Sequence, residues 1–265
     1  MPASYHPNVR VERDQHVVTV TLDRPEAKNA CTGDMWVAIG RTFQDIAQSG
    51  ARAVVLTGAG GDFCAGADLG GGGNTPSFPP KGTMLDSMRV LSDVVLSVHG
   101  CPVPVVAKVS GVCVGAGLGL ALAADLMWCA DDARLSVIYA KRALSPDFGT
   151  SWLLRERLGT HRAKELAFTA KMLSGTDAAD VGLANAAVPA DELDKAVQEL
   201  VETIAAGPPL ALATTKRQLD NAGNSSLAQA LEAEALGQAI NAQSQDLREA
   251  LTAYAEKRPP KFEGK

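Results

Sequence analysis

Apolar and polar positions along this chain change period several times. His16–Leu22 alternates and is rich in Val and Thr, which predicts a strand. Thr32 or Asp34 then offers a cap for a helix running to about Gln48. Arg52–Thr57 is a short β-branched run ending at Gly58, a second strand. Met84, Met88, Leu91, Val95 and Val98 recur at helical spacing within Thr83–His99. Pro102 and Pro104 introduce a third strand, Val105–Val109, and Leu118–Ala124 reads as helix. Leu126–Ala130 and Arg134–Val137 read as further short strands. From Gly149 onward the pattern is almost wholly helical, with Thr160 as one cap and Ser226 with Gln229 as a capping box. Pro208 and Pro209 mark another helix start. The fold class is therefore α/β followed by helices. The division expected is a core over 1–200 and a helical region over 201–265.

Composition narrows the functional classes. The 265 residues carry a formal net charge of −5, with 46% apolar and 21% charged residues. Nothing in that balance draws the chain to nucleic acid or to an anionic membrane. The longest uncharged stretch, Val109–Ala124, is interrupted by glycines and too short for a comfortable span, so it reads as buried core. The start of the chain, Met1–Asp14, has no apolar leader pattern, and a cytoplasmic protein is expected. Cys31, Cys64, Cys101, Cys113 and Cys129 are scattered without metal-ligand spacing, as are the four histidines. Reduced thiols and no metal are the expectation.

Two glycine-containing segments carry the candidate chemistry. Gly61–Leu69 and Ser110–Leu120 each follow a strand, and the second leads into a helix. Small residues let a ligand approach the backbone, and a helix start offers unpaired N–H groups. Two such donors from separate loops can meet one developing oxyanion. For either segment alone, close packing of a buried helix on the sheet is an equal reading. A dinucleotide fingerprint fails because Leu120 stands where the third glycine belongs and Gly119 falls one residue early. No P-loop and no G-x-S-x-G elbow is present.

Taken together, Val20–Ala30, Ala53–Gly58 with Phe63–Leu69, Pro104–Asp125, Pro146-Asp147-Phe148-Gly149 and Lys257–Phe262 resemble the enoyl-CoA hydratase/isomerase (crotonase) family over nearly the whole chain. The resemblance implies a crotonase-like spiral of ββα units with a helical C-terminal trimerisation region, as a homotrimer or a dimer of trimers. It implies an acyl-CoA substrate, with coenzyme A as part of that substrate and no separate cofactor. It places the oxyanion donors on the N–H groups of Ala67 and Ala116. It assigns CoA or substrate contacts to Arg24, Ala27, Lys28, Ala65, Asp68, Leu69, Gly115, Pro146 and Phe262, with Lys261 nearby. Without the motif around them, Arg24 and Lys28 would read as a solvated strand end.

One departure bears on the reaction. Hydratases of the family use two glutamates to activate water; the matching positions here are Gly119 and Tyr139. A glycine has no base, and a phenol with a pKa near 10 is a poor one at neutral pH. Asp147 instead resembles the aspartate that moves a proton between carbons in isomerases of the family. The spacing from Tyr139 to Asp147 also resembles that of the aryl-CoA dehalogenases, for which a histidine is wanted and His99 is the candidate. The competing reading of Asp147 is a helix cap. The sequence thus favours an enoyl-CoA isomerase using Asp147 and Tyr139. The alternatives are an enoyl-CoA hydratase and a non-catalytic acyl-CoA-binding protein. Residues 70–83 are expected to shape the acyl pocket.

Overall fold

In a computed structural model, residues 3–70 and 83–265 are described. Most of the segment expected to shape the acyl pocket therefore lies outside the described residues. The chain opens with a hairpin, β1 (Val9–Asp14) and β2 (Val17–Leu22), paired antiparallel. The alternation Val-Arg-Val-Glu over Val9–Glu12 carries a strand signal that the sequence reading passed over; Val9 and Val11 point inward and Arg10 outward. Helix α1 (Gly33–Ile46) follows, capped by Thr32, whose hydroxyl accepts from Met35 N–H. Next come β3 (Ala53–Gly58) and α2 (Met84–His99). A reciprocal capping box of Thr83 and Asp86 fixes the start of α2.

The next two units each contain two strands and a helix. β4 (Val105–Val109) and β5 (Val112–Val114) lead into α3 (Ala116–Ala123). β6 (Leu126–Ala130) and β7 (Arg134–Ser136) lead, through a 3-10 turn at Ile138–Arg142, into α4 (Thr150–Thr169). Among the described residues the main sheet has the order β1-β2-β3-β4-β6 followed by a strand at Ala186–Val188 (β9), parallel from β2 onward. A smaller sheet runs β5-β7 and then a strand at Leu173–Ser174 (β8). Each later unit thus gives its first strand to one sheet and its second to the other. The single bridges Cys31–Ala67 and Cys64–Cys113 extend the same arrangement to the earlier units.

Helix α3 is buried at every position, which is why Ala116–Ala123 carries no polar side chain. It begins two residues earlier than its periodicity suggests, because buried Ala116 and Gly117 give no amphipathic signal. The near-wholly helical reading after Gly149 needs correction too. β8 (Leu173–Ser174) precedes α5 (Gly175–Asp180), and β9 (Ala186–Val188) completes the main sheet before α6 (Leu193–Ala206). Both strands are too short for alternation to register. Gly159, at φ 70° and ψ 168°, breaks α4 just before Thr160. α6 packs across β2, β3, β4 and β6. Three helices finish the chain: α7 (Pro209–Ala222), α8 (Leu227–Asn241) and α9 (Gln245–Glu256). They present Leu219, Leu227, Leu231, Leu236 and Leu251 to solvent in this single chain. Among the described residues, no helix is long and apolar enough to cross a membrane.

Candidate active site

The two glycine-containing segments lie against each other. Phe63 N–H donates to Ser110 O at 2.8 Å, Cys64 N–H to Val112 O at 2.9 Å, and Val114 N–H to Cys64 O at 3.1 Å. Asp62 also accepts from Val112 N–H at 2.7 Å. The contact is so close that a Cβ on Gly117 would sit 2.3 Å from Cys64 O. On Gly66 a Cβ would lie 3.4 Å from Ala116 N. Ala67 bridges Cys31 in parallel register through Cys31 N–H to Gly66 O and Asp68 N–H to Cys31 O. That pattern turns the N–H of Ala67 itself away from Cys31. Ala116 is the first residue of α3, where the helix leaves its N–H without an internal acceptor. Among the described residues neither N–H has a hydrogen-bond partner. Gly115 precedes Ala116 at φ 58°, a conformation that favours glycine, and donates to Ser136 O.

The segment Arg24–Asn29 is built onto this pair. Its anchor is Asn29, fully buried at φ 56°, to which the sequence reading gave no role. The Asn29 amide accepts from Arg24 N–H and donates to Ala59 O and Asp62 O. Ala27 closes the 3-10 turn, and Lys28 leaves it exposed at φ 51°. Lys28 O accepts from Ala65 N–H at 2.9 Å. Arg24 pairs with Asp68 at 2.7 Å and donates to Ala30 O, so its guanidinium ties two loops together rather than standing as a solvated end. Asp68 also accepts from Gly70 N–H, and that bond with Arg24 holds its carboxyl below the usual range. Leu69 is largely exposed beside them.

One turn along α3 from Ala116, Gly119 faces the segment that enters α4. A Cβ there would meet Phe148 O and Thr150 Oγ1, each at 2.8 Å. The volume of a side chain at this position is already taken. Phe148 sits at φ 53° and Gly149 at φ 72°, with the Phe148 ring 4.5 Å from that of buried Trp36. This packing holds Phe148 in a conformation unusual for a residue with a side chain. The preceding Asp147 is half-buried, and its Oδ1 accepts from the Tyr139 hydroxyl at 2.6 Å. Tyr139 Oη is also 3.3 Å from Thr150 Oγ1. Burial, above all, pushes the Asp147 carboxyl up, against the opposing pull of the Tyr139 hydrogen bond. Burial and the neighbouring carboxylate push the phenol up as well, so Tyr139 acts as a donor.

The cap reading of Asp147 does not describe this geometry. Gly149 occupies the cap position of α4 without any side-chain capping bond. His99 is not brought to Asp147; it lies edge-on to Trp152 in a separate cavity of about 590 Å³ with Asp125 and Lys216. Pro146 lines a small cavity of about 190 Å³ with Leu154 and Phe168. Phe262 is half-buried in a tail whose hydrogen bonds run to α9, from Lys261 N–H to Glu249 and from Glu263 and Gly264 N–H to Asp246. Within one chain the tail is pinned to that helix. Thr150 and Asn29 are the site residues that sequence reasoning missed. The only signal for Asn29 was its place in the Val20–Ala30 segment, and Thr150 had none beyond following a glycine.

Two backbone donors can hold a charged carbonyl oxygen, and a half-buried carboxylate on the segment packed against the same helix can move a proton. Comparison with known proteins gives this arrangement its class. The sequence profile of the enoyl-CoA hydratase/isomerase family matches residues 12–265, and the chain belongs to that family. It is an enzyme of hydratase or isomerase type with the crotonase fold. It is 32% identical to the 1,2-epoxyphenylacetyl-CoA isomerase of Escherichia coli K12, over 95% of this chain and 97% of that one. A crystal structure of enoyl-CoA hydratase from Bacillus anthracis superposes with a TM-score of 0.90 at 29% identity, covering 97% of this chain and 100% of the other. A Thermobifida fusca YX crystal structure in complex with CoA gives a TM-score of 0.82 at 32% identity, covering 88% and 92%.

Proposed function

We propose that the protein isomerises the double bond of an enoyl-CoA, with Asp147 as the proton carrier. The N–H groups of Ala67 and Ala116 receive the thioester oxygen as it gains enolate charge. The Asp147 carboxylate removes a proton from one carbon of the acyl chain. The C–H electron pair delocalises toward the thioester, and the Asp147 carboxylic acid returns the proton to a different carbon. Water is neither consumed nor formed. The observation that carries this reading is the space at Gly119 filled by Phe148 and Thr150, with the preceding Asp147 hydrogen-bonded by Tyr139. A glutamate at 119 has no room, while a carboxylate raised by burial is a stronger base than an exposed one. The CoA-bound neighbour supports an acyl-CoA substrate. In this reading, which extends the family resemblance, CoA lies along Arg24, Ala27, Lys28, Ala65, Asp68 and Leu69. Gly115, Pro146 and Phe262 complete that expected set, Phe262 from a neighbouring subunit. The exposed leucines of α7–α9 support a homotrimer or a dimer of trimers.

The test supplies trans-3-enoyl-CoA and trans-2-enoyl-CoA separately to the purified protein. Interconversion of the two without hydroxyacyl-CoA is expected. Hydroxyacyl-CoA as the main product would replace isomerisation with hydration, the activity in the name of the Bacillus anthracis relative. Tight acyl-CoA binding with no turnover of either would leave a binding protein.

A further inference from the structure

The Tyr139 hydroxyl has one proton and three oxygens within reach: Asp147 Oδ1, Thr150 Oγ1 and, farthest at 3.4 Å, the backbone carbonyl of Asp147. Asp147 Oδ1, at 2.6 Å, is the short contact and a pure acceptor when ionised. The phenol proton therefore goes there. Thr150 Oγ1, at 3.3 Å, must then supply the proton of the second contact. Thr150 is fully buried, and among the described residues its hydroxyl has no other recorded partner. The same oxygen lies 2.8 Å from where a Cβ on Gly119 would stand.

We propose that Thr150 is a positioning residue. Its hydroxyl donates to Tyr139 Oη, commits the phenol proton to Asp147, and requires glycine at position 119 to leave it room. The inference rests on Asp147 being the reacting carboxylate. A donor that itself accepts a hydrogen bond is polarised and binds its acceptor more strongly. The chain Thr150–Tyr139–Asp147 thus fixes the carboxylate in one orientation and favours its anionic form. Few other charges act on it. α3 has no titratable side chain. Lys141 and Arg142 on the 3-10 turn are exposed, and on α4 the charged Arg155 and Glu156 pair with each other. On α2, Asp86 pairs with Arg89, and Asp93 and His99 make no ion pair or hydrogen bond with Asp147. On α1, Asp34, Arg41 and Asp45 likewise make none. Among the described residues, only Tyr139 of the titratable side chains bonds the carboxylate.

The test compares Thr150→Val, Thr150→Ser and Tyr139→Phe in the full-length protein. Two readouts are needed: the pH dependence of kcat and KM, and the infrared carboxyl titration assigned by its loss in Asp147→Asn. Tyr139→Phe should move the Asp147 titration to higher pH by about one unit. It should lower kcat about 10- to 100-fold, the effect of losing a hydrogen bond to a charged group. Thr150→Val should shift both in the same direction by less, with KM unchanged, and Thr150→Ser should restore them. A wild-type titration in Thr150→Val overturns the proposal, as does an equal displacement in Val and Ser. If Thr150→Val does not fold, Thr150→Ala replaces it with the same expected shift. Undiminished turnover in Asp147→Asn would instead overturn the isomerase reading, while the infrared titration would still decide the role of Thr150.

Discussion

The two ends of the site are built from different materials. At the Ala67–Ala116 end, the groups proposed to act are backbone N–H donors, positioned by strand-like hydrogen bonds between Phe63–Cys64 and Ser110–Val114. At the Asp147 end, three side chains hold one another on an irregular path where Ala143, Phe148 and Gly149 all take positive φ. The first turn of α3 joins the two, with Ala116 at one end and Gly119 at the other. The lesson is a division of sensitivities. The backbone donors themselves do not titrate, and they tolerate any side chain that leaves the chain path intact. The side-chain end depends on residue identity and on pH. Relatives of this chain carry both hydratase and isomerase names.

Asp147→Asn should separate the ends most sharply. Turnover is expected to fall about 10²- to 10⁴-fold, the usual worth of a positioned acid-base group, or about 3–5 kcal/mol of barrier. Affinity for a non-reacting acyl-CoA, measured by calorimetry, should stay within about twofold, since that end is untouched. Stability should not fall at neutral pH. Burial raises the Asp147 carboxyl, so the folded state prefers its protonated form, and ionisation costs stability as pH rises through the interval between the unfolded and folded values. Asparagine removes that cost. A variant that unfolds much more readily than wild type at pH 7 would show Asp147 to be structural.

Glycine substitutions probe the same contrast through shape. Gly117→Ala puts a Cβ 2.3 Å from a backbone oxygen of the opposite segment, so the two donor-bearing segments must part. Gly119→Ala pushes instead on Phe148 and Thr150. Both should cost about 1–3 kcal/mol of stability by overpacking, against a helix preference for alanine of about 1 kcal/mol. The kinetic signatures should differ. Gly117→Ala should weaken thioester binding and turnover together, and Gly119→Ala should lower kcat with little change in KM. Gly119→Glu should gain no hydratase activity; hydroxyacyl-CoA formation by that variant would show the pocket to be re-openable.

The legibility of the molecule follows the same line. Long elements with an exposed face, such as α1 and α2, were readable from period and caps. The placement of donors on Ala67 and Ala116 rests on the family resemblance, since either glycine-containing segment alone reads equally as close helix packing. β8 and β9 were not, being too short for a period to show. The path that brings Thr150 to Gly119 was invisible for another reason. It depends on φ at Phe148 and on its contact with Trp36, more than a hundred residues earlier. The tie of Arg24 to Asp68 likewise joins loops that no local pattern relates.

That ion pair supplies the smallest expected effect and the finest test. Both side chains are about one-quarter exposed, so Arg24→Met should cost only about 0.5–1 kcal/mol, less at high salt. Its pH dependence has the opposite sign to that of Asp147. The Asp68 carboxyl is lowered by Gly70 N–H and Arg24, so its contribution is full above the unfolded value near 4 and is lost as pH falls through the lower folded value. Thermal unfolding of wild type and Arg24→Met should therefore differ by a constant amount from pH 5 to 8 and converge in acid. Over that same interval any change in kcat belongs to the Asp147 end. A difference that instead varied between pH 5 and 8 would mean that the backbone end also titrates, and the division between the two ends would fail.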